Sequence, residues 1–413
     1  MHWSVRKTVL ISAVAAAAAA CLATPASAVP GAVPPPASDP FYAVPPDLEH
    51  VPVGTVLRWR HVQLPQSDGP LAATAWQVLY RTTDNHWRPT ATVETVLVPD
   101  FAPVPRRAAR PLLSYQVPED GLAQTCAPSY QLRLGTADTI QADDANIGAA
   151  LSQGWTVVVP DYEGPNSEYL GASGTAHEVL DGIRAALRFG PAGVSRRSPI
   201  GLWGYSGGAE ATALAAQAQR RYAPELLVTA IATGGLLADG NATLETLSGT
   251  VYSGDIPFAL AALERSYPEA HVQQYMNATA QADADAVSNV CTTDAVEKGP
   301  FFVTLAQLEA YQGALTTGPF YQLAHDITPV GISGTPTAPV YDYHGTLDQL
   351  TPIPGDRQVM RKYCAAGAVV QHVESPADHG TEATEGAPGA LSFLEHRFAG
   401  LPAIDTCATI PAP

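Results

Sequence analysis

Cysteine is scarce in this sequence, with five in 413 residues, and no two of them form a C-x-x-C pair. Zinc and thiol redox centres are commonly built from such pairs, so we expect no metal site. Cys21 lies in the N-terminal segment. The other four are an even number, which in an exported protein predicts two disulfides with three possible pairings. They are Cys126, Cys291, Cys364 and Cys407.

Basic residues are also few, because 22 Lys and Arg stand against 39 Asp and Glu. The first 28 residues hold two of the basic residues and no acidic one, so the chain without them has a net charge of −19 at pH 7. Such acidity argues against nucleic acids and anionic membrane surfaces as partners. It does not argue against neutral lipid.

Long apolar runs are missing after the N-terminus. The run at the start has the parts of a secretory signal: the basic pair Arg6 and Lys7, an apolar stretch, and the small-residue motif Ala26-Ser27-Ala28. Lipidation of Cys21 is the alternative, but the three alanines before it lack the leucine of such sites. We predict a signal peptide over residues 1–28, cleaved near Ala28, and a secreted chain without stable membrane insertion.

An apolar strand, Ile200-Gly201-Leu202-Trp203, leads into a G-x-S-x-G turn and then into an alanine-rich helix over residues 211–220. This order is typical of the nucleophile elbow of an α/β-hydrolase. Ser206 is therefore the candidate nucleophile. The elbow glycines Gly204 and Gly208 are expected because a Cβ at either position would collide across the turn.

A serine hydroxyl needs a base that removes its proton and an acid that orients the base. In α/β-hydrolases the acid and then the histidine follow the serine along the chain. Asp348 and His379 each come shortly after a predicted strand, where catalytic groups collect in open sheets. Three aspartates are alternatives for the acid, but Asp342 lies within a predicted strand, Asp356 opens a helix and Asp378 is next to the base. His372 and His396 are expected to be structural, and His344 is expected to shape the loop of the acid.

The H-G-G-G run that supplies the oxyanion hole of many lipases is absent from this sequence. One donor is expected to be the backbone N–H of Gly207, directly after the nucleophile. The loop within residues 114–121, after an early apolar strand, is the candidate for the second donor. Glu163, in a later loop, either lines the pocket or stabilises its loop.

Strands and helices alternate along most of the chain, which predicts a mostly parallel sheet covered on both faces. The pattern is mainly helical only over residues 239–331, which predicts a cap inserted into an α/β-hydrolase core of residues 29–238 and 332–413. The other predicted strands cover 72–80, 90–98, 111–117, 155–159, 226–233, 338–343 and 368–373, and the other helices 139–153, 176–189, 355–363 and 388–398.

Short motifs are spread over nearly the whole mature chain. They are Ser114-Tyr115-Gln116, Glu119-Asp120, Cys126-Ala127-Pro128-Ser129-Tyr130, Asp161-Tyr162-Glu163-Gly164-Pro165-Asn166-Ser167, Leu180-Asp181-Gly182-Ile183-Arg184-Ala185, the elbow, the loop from His344 to Asp348, and Asp378-His379. Their combination resembles the secretory lipase family, the lipase A type of α/β-hydrolase.

The resemblance implies a secreted triacylglycerol lipase with the triad Ser206, Asp348 and His379 and with no cofactor. It also implies that Asp120 supplies the second oxyanion contact and that the helical insertion holds the acyl chain. The disulfides that it implies are Cys126–Cys291 and Cys364–Cys407.

Three other functions are compatible with this fold. An esterase for soluble short-chain or non-lipid esters would use the same triad, so that only the cap distinguishes it. A secreted serine peptidase is less favoured because no feature of the sequence points to peptide binding. A hydrolase fold that has lost catalysis and serves in binding is disfavoured by the complete Ser, Asp and His set.

Overall fold

A computed structural model describes residues 33–65, 72–100, 109–135 and 141–413. The predicted signal peptide, residues 1–28, lies outside these ranges. Within them nine strands form one sheet in the order β1-β2-β3-β5-β4-β6-β7-β8-β9. The strands are β1 Val56–Val62, β2 Ala73–Thr83, β3 Pro89–Pro99, β4 Leu112–Gln116, β5 Thr156–Pro160, β6 Ile200–Tyr205, β7 Val228–Gly234, β8 Val340–Gly345 and β9 Val370–Ser375.

The sheet is parallel from β5 to β9 and antiparallel at the β1 end. β4 pairs in parallel with both β5 and β6, and β7, β8 and β9 continue the same direction. β1, β2 and β3 form an antiparallel meander that joins β5. Every residue of β4, β5, β6 and β8 is buried, as expected for strands in the middle of a sheet that is covered on both faces.

Helices cover both faces of this sheet. α3 and α4 pack on one face with β4 and β6, and α2 and α13 pack on the other. None of the helices in the described ranges is long and apolar enough to cross a membrane. The helices are α1 Pro128–Leu134, α2 Gln141–Ser152, α3 Ala172–Arg188, α4 Gly207–Tyr222, α5 Gly240–Leu247, α6 Asp255–Ser266, α7 Ala278–Val287, α8 Thr292–Lys298, α9 Leu305–Leu308, α10 Gly318–Asp326, α11 Ile353–Ala365, α12 His379–Glu385 and α13 Ala387–Phe398.

The six helices α5 to α10 lie between β7 and β8 in the chain. They build most of one hydrophobic cluster, in which Leu260 and Phe320 are completely buried and to which α3 and α4 of the core also contribute. This helical segment falls within residues 239–331, for which the sequence predicts a cap. It contacts the core through the loop after β4 and through Leu170, which packs against the same cluster.

Strand β1 is the element that the sequence pattern does not reveal. It is an edge strand that pairs only with β2 in the described structure, and Arg58, Trp59 and Arg60 are only half-buried or exposed. An edge strand with polar residues on both faces lacks the apolar alternation on which strand prediction depends.

Two disulfides are present in the described residues, Cys126–Cys291 and Cys364–Cys407. These are the pairs that the family resemblance implies. Cys126–Cys291 joins the loop after β4 to the start of α8, across 165 residues. Cys364–Cys407 joins α11 to the C-terminal segment, across 43 residues.

Replacing Cys364 and Cys407 by alanine is expected to lower the free energy of unfolding by about 2–4 kcal/mol, because the unfolded chain gains the freedom of an open loop. Urea denaturation of the variant and the parent protein measures this difference. An unchanged unfolding midpoint would contradict the prediction.

Candidate active site

Ser206 lies at the sharp turn between β6 and α4. Its φ of +55° is unusual for a residue with a Cβ, and it lifts the hydroxyl out of the sheet. A Cβ at Gly204 would lie 2.1 Å from the carbonyl oxygen of Gly208, and a Cβ at Gly208 would lie 2.0 Å from that of Gln116. Both glycines are therefore required by close packing of the elbow against itself and against β4.

The structure brings together the three side chains predicted as a triad. The Oγ of Ser206 lies 2.9 Å from Nε2 of His379. The Nδ1 of His379 lies 2.6 Å from Oδ2 of Asp348. With its Nδ1–H donated to the carboxylate, the imidazole presents a bare Nε2 to the serine hydroxyl, which is the arrangement of a general base.

The carboxylate of Asp348 is held by its own loop. Its Oδ1 accepts the backbone N–H groups of Leu350 at 2.9 Å and Thr351 at 2.8 Å, and the Thr351 hydroxyl donates to Oδ2 at 3.0 Å. Burial raises the pKa of Asp348, but hydrogen bonds from His344 and His379 outweigh burial, and the pKa falls well below 3.8. Asp348 is therefore ionised at neutral pH.

His379 is also fixed through its backbone. Its N–H donates to the side-chain oxygen of Gln349 at 3.1 Å, and the hydroxyl of Tyr205 donates to its carbonyl oxygen at 2.6 Å. Gln349, Thr351 and Tyr205 escape sequence analysis because hydroxyl and amide residues beside a catalytic position carry no motif of their own. The one available signal is their position next to Asp348 and Ser206 in the chain.

Asp120 lies against the turn that carries the nucleophile. A Cβ at position 207 would come within 1.9 Å of Oδ1 of Asp120, so only glycine fits there. Asp120 itself has a φ of +37°, and its Oδ1 is buried without a hydrogen-bond partner. Burial raises its pKa to about 6, against lowering effects from His379 and from its own backbone N–H.

The loop that carries Asp120 is anchored on two sides. The N–H of Gly121 donates to both carboxylate oxygens of Glu163 at 3.2 Å, so Glu163 stabilises this loop, which is one of its two predicted roles. On the other side the N–H of Leu122 donates to the Val290 carbonyl at 2.9 Å. The disulfide from Cys126 reinforces this contact with the helical segment.

A cavity of about 440 Å³ extends from Ser206 and Asp120 into the helical segment. Its volume lies within the usual range of small-molecule sites. Apolar side chains from α5, α6, α8 and α10 supply most of its wall. They are Leu244, Leu247, Phe258, Ala259, Leu263, Val296 and Ala324, joined by Leu170, Leu237, Ile327 and Leu350.

The other acids and histidines near the C-terminus have partners outside the triad. Asp378 caps α12 by accepting the N–H of Thr381 at 2.8 Å. His396 belongs to the last turn of α13. Asp342 accepts the hydroxyl of Thr233 at 2.7 Å.

Two groups in the described residues have possible metal-ligand atoms within 4.8 Å of one another: Asp84 with His86 and Glu168, and Asp342 with Asp356 and His372. In the first group the carboxylate of Asp84 already accepts a hydrogen bond from Nε of Arg88 at 2.8 Å. In the second group His372 already faces a carboxylate on each ring nitrogen, at 2.6 and 2.9 Å. Because Asp84 in the first group and both ring nitrogens of His372 in the second already have oppositely charged partners, we assign a metal to neither group.

The sheet and the elbow define an α/β-hydrolase fold, and Ser206, His379 and Asp348 lie within hydrogen-bond distance of one another in that order. The family of secretory lipases matches residues 130–406, and the chain belongs to this family, in which its relatives include proteins named lipase and esterase. Family membership and the two disulfides fit an exported protein. The predicted fold class and family are thereby confirmed.

Individual relatives cover most of the chain. A protein named "Probable inactive lipase" from Mycobacterium tuberculosis is 37% identical over 90% of this chain and 84% of its own. Lipase A of Arthroderma benhamiae is 33% identical over 91% of this chain and 82% of its own. The crystal structure of Candida antarctica lipase A in its closed state superposes with a TM-score of 0.82 at 28% identity, covering 92% of this chain and 90% of that one.

Proposed function

We propose that this protein, exported after cleavage near Ala28, is a lipase that hydrolyses long-chain acylglycerol esters through an acyl-enzyme on Ser206. The observation that carries the proposal is the apolar cavity that begins at the nucleophile and continues between the helices of the insertion. A cavity of that shape and polarity fits an alkyl chain whose ester carbonyl lies at Ser206. Residues 239–331 act in this proposal as the cap that encloses the chain.

The reaction begins when the Oγ of Ser206 attacks the ester carbonyl and His379 takes the hydroxyl proton. The negative charge moves to the carbonyl oxygen, which the N–H of Gly207 and a donor from Asp120 stabilise. His379 then gives its proton to the leaving alcohol as the carbonyl re-forms and the C–O bond breaks. Asp348 stabilises the imidazolium throughout.

Water completes the cycle by the same steps. His379 removes a proton from water, hydroxide adds to the acyl-enzyme, and the second tetrahedral oxyanion occupies the same hole. Its collapse releases the fatty acid and returns the proton to Ser206. The Oγ of Ser206 is thus the leaving group of the second half-reaction. The cycle ends with a neutral serine hydroxyl and a neutral imidazole, as it began.

Hydrolysis of p-nitrophenyl esters of increasing acyl length tests the substrate class. We expect kcat/KM to rise with chain length, because each methylene buried in the cavity contributes about 0.8 kcal/mol, or about fourfold. Activity confined to the shortest esters would move the protein to the esterase class with its triad intact. Failure on every ester, together with no fluorophosphonate labelling, would place it with the inactive members that one relative's name describes.

Ala259→Phe is expected to shorten the preferred acyl chain, because Ala259 lines the cavity from α6 and a phenyl ring there displaces part of the alkyl chain. The loss should be about fourfold for each methylene excluded, with short esters unaffected. Ala261→Phe on the same helix, outside the lining of this cavity, is the matched control. Equal losses on short and long esters in Ala259→Phe would indicate damage to the fold and would contradict this placement of the chain.

A further inference from the structure

A second buried histidine and aspartate lie directly behind the triad acid. His344, in β8, has its Nε2 2.8 Å from the carbonyl oxygen of Thr351 and 3.4 Å from Oδ2 of Asp348. On the opposite edge of the ring, Nδ1 lies 3.6 Å from Oδ2 of Asp356, in α11. The side chains of His344 and Asp356 are completely buried.

The surroundings of His344 determine which nitrogen carries the proton. A backbone carbonyl can only accept, so the 2.8 Å contact with Thr351 places a hydrogen on Nε2. The same N–H is near Oδ2 of Asp348, the oxygen that accepts from His379. His344 is therefore oriented to donate toward the triad acid from the side away from the nucleophile.

Asp356 is the group that faces the other nitrogen. Nδ1 of His344 and both carboxyl oxygens of Asp356 are buried and have no hydrogen bond of their own at normal distance. Burial and the negative charge of Asp342 raise the pKa of Asp356. Whichever of the two carries the proton between them, this contact opposes rotation of the His344 ring and keeps Nε2–H directed at Thr351 and Asp348.

The array continues to the edge of the sheet. His372 lies 3.7 Å from Asp356 and 2.6 Å from Asp342 through its Nδ1, and its Nε2 lies 2.9 Å from Glu374. Glu374 in turn pairs with Arg357 at 2.7 Å. Basic and acidic side chains thus alternate from His379, beside Ser206, to Glu374 in β9. The array ends at the partly exposed ion pair of Glu374 with Arg357.

We propose that His344 is a positioning residue for the triad acid, held in place by Asp356, and that its Nε2–H orients Asp348 and disperses part of that carboxylate's charge. The proposal rests on the triad of the proposed function. It assigns a role in the reaction to two residues that are otherwise structural.

Loss of the His344 donor should change the basicity of His379. With one donor fewer, the negative charge of Asp348 is more concentrated on the oxygen that faces His379, which favours the imidazolium over the neutral ring. The acid limb of the rate profile then moves to higher pH. The other titratable and charged groups that face these side chains are Asp120, Tyr205 and Asp378 around His379, and Asp342, Tyr363, Arg357, His372 and Glu374 around Asp356.

Two amides at position 344 provide a matched test. In His344→Gln the side-chain nitrogen reaches the position of Nε2 and can still donate to Thr351 and Asp348, whereas in His344→Asn the shorter amide reaches only the position of Nδ1. For His344→Asn we expect kcat to fall about tenfold at pH 7 with KM unchanged, and the acid limb of kcat/KM to rise by about 0.5–1 pH unit. In His344→Gln, kcat and the position of the acid limb should both stay close to those of the wild type.

The profile is measured on a soluble short-chain p-nitrophenyl ester and accompanied by thermal unfolding. Similar losses in the two variants, or lower stability with an unmoved acid limb, would mean that His344 only supports the fold. If neither variant folds, Asp356→Ala is used instead. It removes the group that restrains the His344 ring, and we expect the acid limb of kcat/KM to move to higher pH by a smaller amount than in His344→Asn. An unmoved limb there would also overturn the proposal.

A measurement without substrate separates this proposal from the proposed function. The proton between His379 and Asp348 is observable by NMR as a downfield resonance, and the pH dependence of that resonance follows protonation of the His379–Asp348 pair. An upward shift in His344→Asn supports the positioning role even if every ester tested is a poor substrate. An unchanged titration would refute that role while leaving lipase activity untouched.

Discussion

Ser206→Ala is expected to lower kcat on p-nitrophenyl esters by about 10⁶-fold, because no other group can form the acyl-enzyme. The alanine methyl fits the space of the hydroxymethyl group, and the φ of +55° at this position is adopted no more easily by serine than by alanine. Thermal unfolding should therefore be unchanged. Initial rates with active-site titration, together with a thermal melt, provide both measurements.

A fluorophosphonate probe supplies the covalent counterpart of this experiment. The wild-type protein should be labelled once per chain, at the peptide that contains Ser206, and Ser206→Ala should not be labelled. Ser152→Ala, at an exposed position in α2, is the control and should be labelled like the wild type. Residual labelling of Ser206→Ala would show that another residue is the nucleophile.

Sequence alone was enough to predict the three side chains that the structure brings together, because a motif and the order of residues along the chain point to them. The elbow identifies Ser206 by its glycines, and the order of acid and histidine after it leads to Asp348 and His379, which the structure places 2.6 Å apart. Buried parallel strands such as β5 and β6 were predictable because most of their residues are apolar. Edge strand β1 was not, since half of its surface faces water.

Contacts between distant parts of the chain lie beyond local patterns. The meeting of His344 with Asp356 depends on how α11 packs against β8, and nothing in either segment alone indicates it. Likewise, the cavity has walls from four helices and several loops, so neither its volume nor its depth follows from the apolar character of residues 256–263. The position of Asp120 against Gly207 depends on a backbone conformation with positive φ, which an aspartate in a loop does not disclose.

Asp120→Ala is expected to lower kcat by about 10²–10³-fold with little change in KM, the usual cost of removing one donor from an oxyanion hole. This expectation depends on the carboxyl group itself being the donor. A carboxyl donates only when protonated, and burial raises the pKa of Asp120 to about 6. At pH 5 the Asp120 carboxyl is mainly protonated, so the difference in kcat between the wild type and Asp120→Ala should be largest there. Steady-state kinetics at this pH measures it.

Asp120→Asn distinguishes the side chain from the backbone. The amide keeps a donor at the same place and cannot ionise, so it should retain most activity. In the wild type, kcat/KM should decline above about pH 6 as Asp120 loses its proton, and this alkaline decline should disappear in Asp120→Asn. If the backbone N–H of residue 120 were the donor, both variants would keep their activity and the alkaline limb would not depend on the side chain.

The same pKa has a consequence for stability. In the unfolded chain the Asp120 carboxyl ionises near pH 3.8, but in the folded protein it does so near 6, so the folded state binds the proton more tightly. Stability is therefore lost as pH rises through this window, by about 3 kcal/mol in total at the linkage slope of 1.36 kcal/mol per pKa unit. Asp120→Asn avoids the burial of a charge, and we expect its melting temperature to exceed that of the wild type at pH 8 but not at pH 4. The buried acid thus lowers stability at alkaline pH but supplies a hydrogen-bond donor beside the nucleophile. Asp120→Ala measures what the donor contributes to kcat, and Asp120→Asn measures what the buried charge costs in stability.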